Sequence, residues 1–350
     1  MSNIELIDRL AADGVLAEED LEVLLATYTA ADRDYAASLA YRIARGRFGT
    51  NLHAWGVIDI TNNCSKDCFY CGLCRSNEAL ERYRLSTEEV LACCSEGHRL
   101  GIRTFVLQAA EDPDFGDDVA DDLIWRVRKG FPDSAIALSF GERSRAAYQR
   151  YFDAGADRYL LRHETADADH YAQLHPRRST LANRIRCLED LKSIGFETGS
   201  GMLVGTPFQT PLRLARDLLF LADFDPALVT VGPFLPASTT KFAEAPAGSV
   251  EKTLFVLSLV RIILPNADLP VMTSIATAHP RGREMAVMAG ANIVMPNLTP
   301  PAERAKYALY DGRVTLGADA ADGLEILRRR MDAIGYTLAS DRGEHRRRSG

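Results

Sequence analysis

Val57-Ile58-Asp59-Ile60-Thr61-Asn62-Asn63-Cys64-Ser65-Lys66-Asp67-Cys68-Phe69-Tyr70-Cys71 joins a short apolar run to a loop that carries three thiols. The run reads as a buried strand: it is rich in β-branched residues and stops at an Asn pair. In the loop the cysteines recur at offsets of four and three residues, too close for good disulfide geometry between neighbours and well suited to wrapping a cluster. Three thiolates hold three irons. A cubane iron–sulfur cluster has four, so one iron is left open to a small molecule that chelates through an amine and a carboxylate. The other reading, three buried or zinc-binding cysteines, lacks the fourth ligand that structural zinc wants.

Outward from this stretch, short apolar runs alternate with longer helical patterns, eight of each from Gly56 onward. The expected strands are Val57–Thr61, Thr104–Ala109, Ala135–Phe140, Arg158–Glu164, Glu197–Val204, Val229–Leu235, Val271–Ala276 and Asn292–Pro296. Between them lie helices such as Thr87–Leu100, opened by Ser86 with Glu89 as its capping box. Eight βα units predict an α/β fold, a complete (βα)8 TIM-type barrel with parallel strands buried on both faces. Apolar positions at helical spacing in Ile4, Ile7, Leu10 and Ala11, and again in Leu21, Leu24 and Leu25, predict an N-terminal helical cap over residues 1–50, laid on one end of the barrel. The barrel is expected over 51–300, and a helical closing segment with a basic tail over 301–350.

With 350 residues and 47% hydrophobic composition the chain can bury one large core. Its net charge of −7 argues against a nucleic-acid surface, and Arg346-Arg347-Arg348 reads as a solvated tail. The N-terminus has no basic, signal-like start and no stretch is apolar enough to span a bilayer, so a cytoplasmic protein is expected. Seven cysteines, an odd number confined to the first 187 residues, fit a reducing compartment and a metal site.

Barrel active sites lie at the C-terminal ends of the strands. The cysteine loop follows the first strand; Gln108, Glu111 and Asp112 follow the second; Ser139 and Glu142 end the third; Arg162, His163 and Glu164 end the fourth. Ser200, Met202 and Gly205 belong to the fifth, Thr273 and Ser274 to the seventh, and Asn297 and Thr299 follow the eighth. Singly, Glu164 also reads as a helix cap and Arg184 as a surface charge. Their shared rim is what marks a site.

These residues resemble the radical S-adenosylmethionine (SAM) superfamily, whose signature is Cys-x3-Cys-x2-Cys with an aromatic residue before the last Cys. Within it the chain is similar to the FeFe-hydrogenase maturases of the HydE branch, and more distantly to methylornithine and biotin synthases. The stretches that carry this are Cys71-Gly72-Leu73, Arg82-Tyr83-Arg84-Leu85, Val106-Leu107-Gln108 with Glu111-Asp112-Pro113, Ser139-Phe140-Gly141-Glu142, Ala154 to Thr165, Gly232-Pro233-Phe234 and Gly290 to Pro300. The resemblance implies a 4Fe-4S cluster on Cys64, Cys68 and Cys71, with SAM on the open iron. It places Tyr70 near the adenine and Gln108, Ser139, Glu164 and Arg184 around SAM. It also implies that the reduced cluster cleaves SAM into methionine and a 5′-deoxyadenosyl radical that acts on a small substrate in the barrel. Flavodoxin or ferredoxin would be the reductant, and other maturases further partners.

Trp55, Ala137, Arg158, Thr273, Tyr307 and Tyr310 are the positions expected near that substrate. Two depart from the family pattern, in which an Arg often stands at Trp55 and a Thr at Ala137; Glu303 replaces a common Tyr, and Pro236 to Lys241 lacks the usual His-Pro-type sequence. Arg158 remains as a candidate for a substrate carboxylate.

Three functions stay open: a HydE-like maturase acting on a sulfur-containing, iron-bound species; a paralogue that rearranges or cleaves an amino acid; and a cluster scaffold or carrier without radical turnover. Gln108, Ser139, Glu164 and Arg184 argue against the last, since a carrier needs no SAM pocket. Cys74 reads as a loop residue or a spare ligand, and Cys93, Cys94 and Cys187 as small core residues on helices. No cysteine follows Cys187, and the histidines, His163 among them, have no spacing for a mononuclear site. Gly199, Gly201 and Gly205 are expected to let the fifth strand approach SAM.

Overall fold

A computed structural model describes residues 1–343, so Arg346 to Arg348 lie outside the described residues. The strands are β1 (Asn51–Thr61), β2 (Thr104–Ala109), β3 (Ala135–Ser139), β4 (Arg158–Leu160), β5 (Glu197–Val204), β6 (Leu228–Pro233), β7 (Ile293–Val294) and β8 (Thr337–Ala339). They pair in parallel in the order β6-β5-β4-β3-β2-β1-β7, with β8 against the first residues of β1. Outer helices join successive strands. The one at Thr87–Arg99 opens as expected, with Ser86 Oγ accepting from Glu89 N at 3.2 Å and Glu89 Oε2 accepting from Ser86 N at 2.7 Å.

The seventh strand is not at Val271–Ala276. The extended residues come just before it: Val229 N donates to Asp268 O and Val271 N to Ile293 O, each at 2.9 Å. Residues 268–271 thus link β6 to β7 and complete the ring at the N-terminal end of the barrel. Thr273–Ala278 is a helix. Its β-branched sequence suits a strand, but packing decides. Gly232 of β6 leaves room for the Ser274 hydroxyl, which would lie 2.6 Å from a Cβ at that position. β4 likewise stops at Leu160, short of the expected Glu164, because the chain there turns through a left-handed residue, Glu164 at φ 65°.

The N-terminal cap consists of α1 (Asn3–Asp13), α2 (Glu18–Thr27) and α3 (Ala30–Phe48). Capping boxes at Ser2/Glu5 and Thr29/Asp32 start α1 and α3, each end worth about 1 kcal/mol. Leu6, Ile7, Leu10, Leu21, Leu24 and Leu25 share one core with the outer helices Pro211–Phe224 and Val250–Ile263. The cap therefore lies along the flank of the barrel and not, as expected, across an end.

Inside the barrel the side chains stack in layers. At the base Arg158 donates to Glu197 Oε2 (2.6 Å), Thr104 Oγ1 (3.2 Å) and the carbonyls of Arg342 and Gly343. Above it Trp55, Val57, Val106, Ala137, Leu228 and Ile293 form an apolar plug, with the Arg158 guanidinium 4.7 Å from the centre of the Trp55 ring. Trp55, Ala137 and Arg158 therefore make the floor of the barrel, away from its C-terminal rim. Trp55→Ala is expected to cost about 3–5 kcal/mol through the cavity it leaves, read as a fall in the urea midpoint, with cluster loading of the folded variant unchanged. A loss below about 1 kcal/mol would mean the ring does not carry this layer.

Candidate active site

At Thr61 the backbone leaves the sheet and opens into the thiol loop, which Arg82 holds from within. Its guanidinium donates to the carbonyls of Asn62 (2.6 Å), Leu73 (2.9 Å), Cys74 (2.7 Å) and Asn77 (3.1 Å). On one side Ser65 N donates to Glu111 O at 2.9 Å and Phe69 N to Leu174 O at 3.0 Å. On the other, Gly72 N donates to Leu309 O at 2.8 Å, and a Cβ on Gly72 would stand 2.2 Å from Ala308 O, so only glycine lets the closing segment come this near.

Cys64, Cys68 and Cys71 are half-buried and unbridged. Burial pushes all three thiols up, Cys71 to about 12 and Cys68 well above the usual range, and their charges would oppose one another. Thiols crowded in this way ionise together only with cations among them. Among the described residues no three His, Cys, Asp or Glu side chains are close enough to grip one metal ion. Three thiols on one loop, two of them facing a cavity, suit a cubane of several irons better than a single zinc.

Cys68 and Cys71 open onto a cavity of about 340 Å³ at the C-terminal end of the barrel, the size of a small-ligand site. Tyr70, Gln108, Ser139, Glu164 and Arg184 line it, and so do Thr273, Tyr307 and Tyr310. Glu164 stands in the left-handed region at φ 65°, a strain of about 1–3 kcal/mol for a residue with a Cβ. Its N–H donates to Gly201 O at 3.0 Å, and its carboxylate accepts from Arg162 Nη2 at 3.0 Å. The strained turn is what brings this carboxylate to the cavity wall.

A chain of alternating charge ties the thiol loop to its surroundings. Arg184 Nε donates to Glu142 Oε1 at 2.8 Å, Glu142 Oε2 accepts from Lys66 Nζ at 3.0 Å, and Lys66 lies 3.5 Å from Glu111. Burial works to raise both carboxyls. At Glu142 the two cations outweigh it and hold the group low, whereas Glu111 stays above its ordinary value. Tyr70 is fixed from behind: its hydroxyl lies 3.1 Å from His175 Nε2, and His175 Nδ1 lies 2.9 Å from Tyr171 O. A carbonyl only accepts, so Nδ1 carries the proton and Nε2 accepts from Tyr70. Burial holds His175 near 3, neutral.

Behind the cavity wall, in contact with the lining residues Gln108 and Arg313, Asp59 is fully buried. Its carboxylate accepts from Gln108 Nε2, Asn297 Nδ2 and Arg313 Nη2, each at 3.1 Å. Arg313 belongs to the segment 307–316 that covers the cavity, and its Nη1 also donates to Tyr307 O at 3.1 Å.

The structure gathers at one cavity Cys68, Cys71, all five expected SAM-side residues, Thr273 and the two tyrosines, while Cys64 packs against the core and is not among the lining residues. It does not bring Trp55, Ala137 or Arg158 there. The β5 glycines do not line the cavity either: a Cβ on Gly201 would stand 2.2 Å from Thr230 O, and one on Gly199 2.8 Å from Leu228. They allow β5 and β6 to approach. His163 turns outward to Ser200 Oγ at 2.9 Å. Cys74 is buried outside the cavity, and Cys93, Cys94 and Cys187 lie in the core. Sequence reasoning passed over Asp59, Lys66, Arg82, Arg283 and Arg313, the first of which did leave a signal: an acid on the inward face of an apolar strand.

Residues 58–221 match the family model described as the radical SAM superfamily. Over 93% of its length, and 94% of the relative's, the chain is 38% identical to the FeFe hydrogenase maturase subunit HydE of Thermotoga maritima. It is 26% identical to the 3-methylornithine synthase of Methanosarcina acetivorans over 85% of this chain and 83% of that one. Among solved structures, methylornithine synthase (PylB) superposes with a TM-score of 0.81 at 24% identity, covering 95% of this chain and 97% of that one. The FeFe-hydrogenase maturase HydG superposes with a TM-score of 0.79 at 19% identity, covering 97% and 76%.

Proposed function

The chain belongs to the radical SAM superfamily, and we propose that Cys64, Cys68 and Cys71 hold its 4Fe-4S cluster while Tyr70, Gln108, Ser139, Glu164 and Arg184 hold SAM beside it. When bound, the reduced cluster supplies one electron to the sulfonium of SAM, giving methionine and a 5′-deoxyadenosyl radical. The residues of the chain do the rest. Arg184, neutralised on one edge by Glu142, keeps N–H groups for a carboxylate, and Glu164 offers an anionic partner to the cationic parts of SAM. Gln108 is pre-oriented by Asp59, and segment 307–316 keeps water from the cavity.

The chain acts as a HydE-like maturase on a sulfur-containing, iron-bound small molecule. One observation supports this above others: the residues matching that branch meet at a single cavity, in a chain 38% identical to a HydE subunit along nearly its full length. Arg162, Arg283 and Arg313 on the same cavity favour a second reading, a paralogue that works on an amino acid, because guanidinium groups suit a substrate carboxylate.

Anaerobic reconstitution with iron and sulfide, followed by electron paramagnetic resonance of the reduced protein with and without SAM, tests the shared chemistry. A cubane signal that shifts on adding SAM is expected, together with 5′-deoxyadenosine once the protein is reduced. A signal indifferent to SAM would return the chain to the scaffold reading. Glu164→Ala should weaken SAM binding about 10-fold or more, as expected for a lost charged hydrogen bond, and leave cluster content near normal. Turnover of cysteine-derived iron complexes, set against that of amino acids, separates maturase from paralogue.

A further inference from the structure

Reductive cleavage of SAM draws an electron from outside the protein, and SAM occupies the cavity side of the cluster. The electron must enter from the other face of the thiol loop. We infer that this face is the docking surface for an acidic one-electron carrier protein. The inference rests on the assignment of the cluster to Cys64, Cys68 and Cys71.

A second depression, of about 210 Å³, has the thiol loop as one wall, through Ser65, Lys66 and Asp67, and Arg75, Arg177 and Arg178 as others. Of the cations at this depression Lys66 is held by Glu142 and Glu111 and Arg75 by Asp67, which leaves Arg177 and Arg178 as its uncompensated charge on a chain of net charge −7. Asp67 is already taken by Arg75 at 3.0 Å and Ser76 N at 2.8 Å. Arg177 and Arg178 are exposed, and among the described residues neither has an ion-pair partner. Such a local inversion of sign attracts a partner of opposite charge and sets its orientation, raising the rate of encounter.

An apolar anchor connects to the same loop through a row of rings. Phe208 is 57% exposed and sits in the left-handed region at φ 65°. Exposure and strain at one aromatic residue mark a contact more than a fold requirement. Its ring meets Phe242 edge-on at 6.1 Å, and Phe242 meets Phe69, the neighbour of Cys68, at 6.2 Å. Cations flank this row: Arg213 Nη1 donates to Phe208 O at 2.7 Å, and Lys241 lies 4.3 Å from the Phe69 ring centre. An exposed aromatic flanked by charge is a common feature of protein interfaces, and this row of rings ends at Phe69 on the loop that carries the cluster. The partner's chemistry follows: acidic residues around an exposed redox group, which gives one electron to the cluster, is itself oxidised by one, and leaves with no atom transferred.

The test follows reduction of the cluster-loaded full chain in a stopped-flow instrument, with reduced flavodoxin as the carrier and dithionite as a carrier-free reductant. Arg177→Glu/Arg178→Glu is expected to slow reduction by flavodoxin about 10-fold or more at low salt and to flatten the salt dependence. Phe208→Ala should slow it as well, and 5′-deoxyadenosine formed with dithionite should not change in either variant. Flavodoxin rates equal to wild type would overturn the proposal. So would an equal slowing by Arg42→Glu on α3 of the N-terminal cap, which would reduce the effect to overall charge. Equal losses with dithionite, repeated in the milder Arg177→Gln/Arg178→Gln, would make these residues props of the thiol loop and overturn docking too. Absence of the cluster's charge-transfer absorption before any reductant is added would instead strike the cysteine assignment.

Discussion

Cys68→Ala is expected to abolish the charge-transfer absorption of the cluster and the cleavage of SAM together. Cys68 is the middle thiol of the loop and lines the cavity with Cys71, while Cys64 packs against the core. Removing it leaves two thiolates for a cubane, and no nearby Cys can replace it: Cys74 is buried away from the cavity, with its sulfur 3.5 Å from Ser76 Oγ. The loss should exceed the ~10–100-fold in metal affinity that removal of a supporting residue costs. Arg82→Ala provides that comparison. It touches no iron, but it releases four carbonyls of the loop, so iron content should fall within that range while the cluster that does assemble keeps a normal spectrum. SAM cleavage retained by Cys68→Ala would remove the cluster from these cysteines.

The thiol loop and most strands were legible because their signals are local: thiol spacing, β-branched runs and capping boxes all lie within a few residues. Depth inside the barrel is not local. Trp55, Val57 and Asp59 alternate onto the same inner face of β1, and nothing in the alternation says which layer each enters. Register decides it. Arg158 opens β4 and stands opposite Ala137 and Glu197, which puts these residues at the floor, whereas Asp59 pairs with Gln108 and supports this cavity residue from behind. The seventh strand failed for a similar reason, since a run that suits strand or helix was settled by the room Gly232 leaves. Most distant of all is the cover. Asp59 and Arg313 are 254 residues apart, and no window of sequence contains both.

That long-range pair should carry the second large effect. Asp59→Ala is expected to destabilise the fold by about 3–5 kcal/mol, the range for breaking a buried ion pair by removing one partner. Asp59 is fully buried and the Arg313 side chain is 10% exposed. Burial opposes the Arg313 charge, and the neighbouring carboxylate outweighs it and holds the group above its ordinary value. With the carboxylate gone, Arg313 keeps its charge and loses its counter-charge, and Gln108 and Asn297 lose an acceptor. The least costly response is for segment 307–316 to lift and let water reach the guanidinium. Limited proteolysis should then cut this segment faster than in wild type, and SAM binding should weaken although no modified residue touches it. Arg313→Met leaves Asp59 with two neutral donors, a milder defect, and Asp59→Ala/Arg313→Met removes both charges at once. Urea unfolding of the four proteins should give a coupling of about 0.5–3 kcal/mol, the double variant being less unstable than the sum of the single ones. Additivity within about 0.5 kcal/mol would mean that the carboxylate serves Gln108 and Asn297 alone, and that something other than this ion pair holds the cover down.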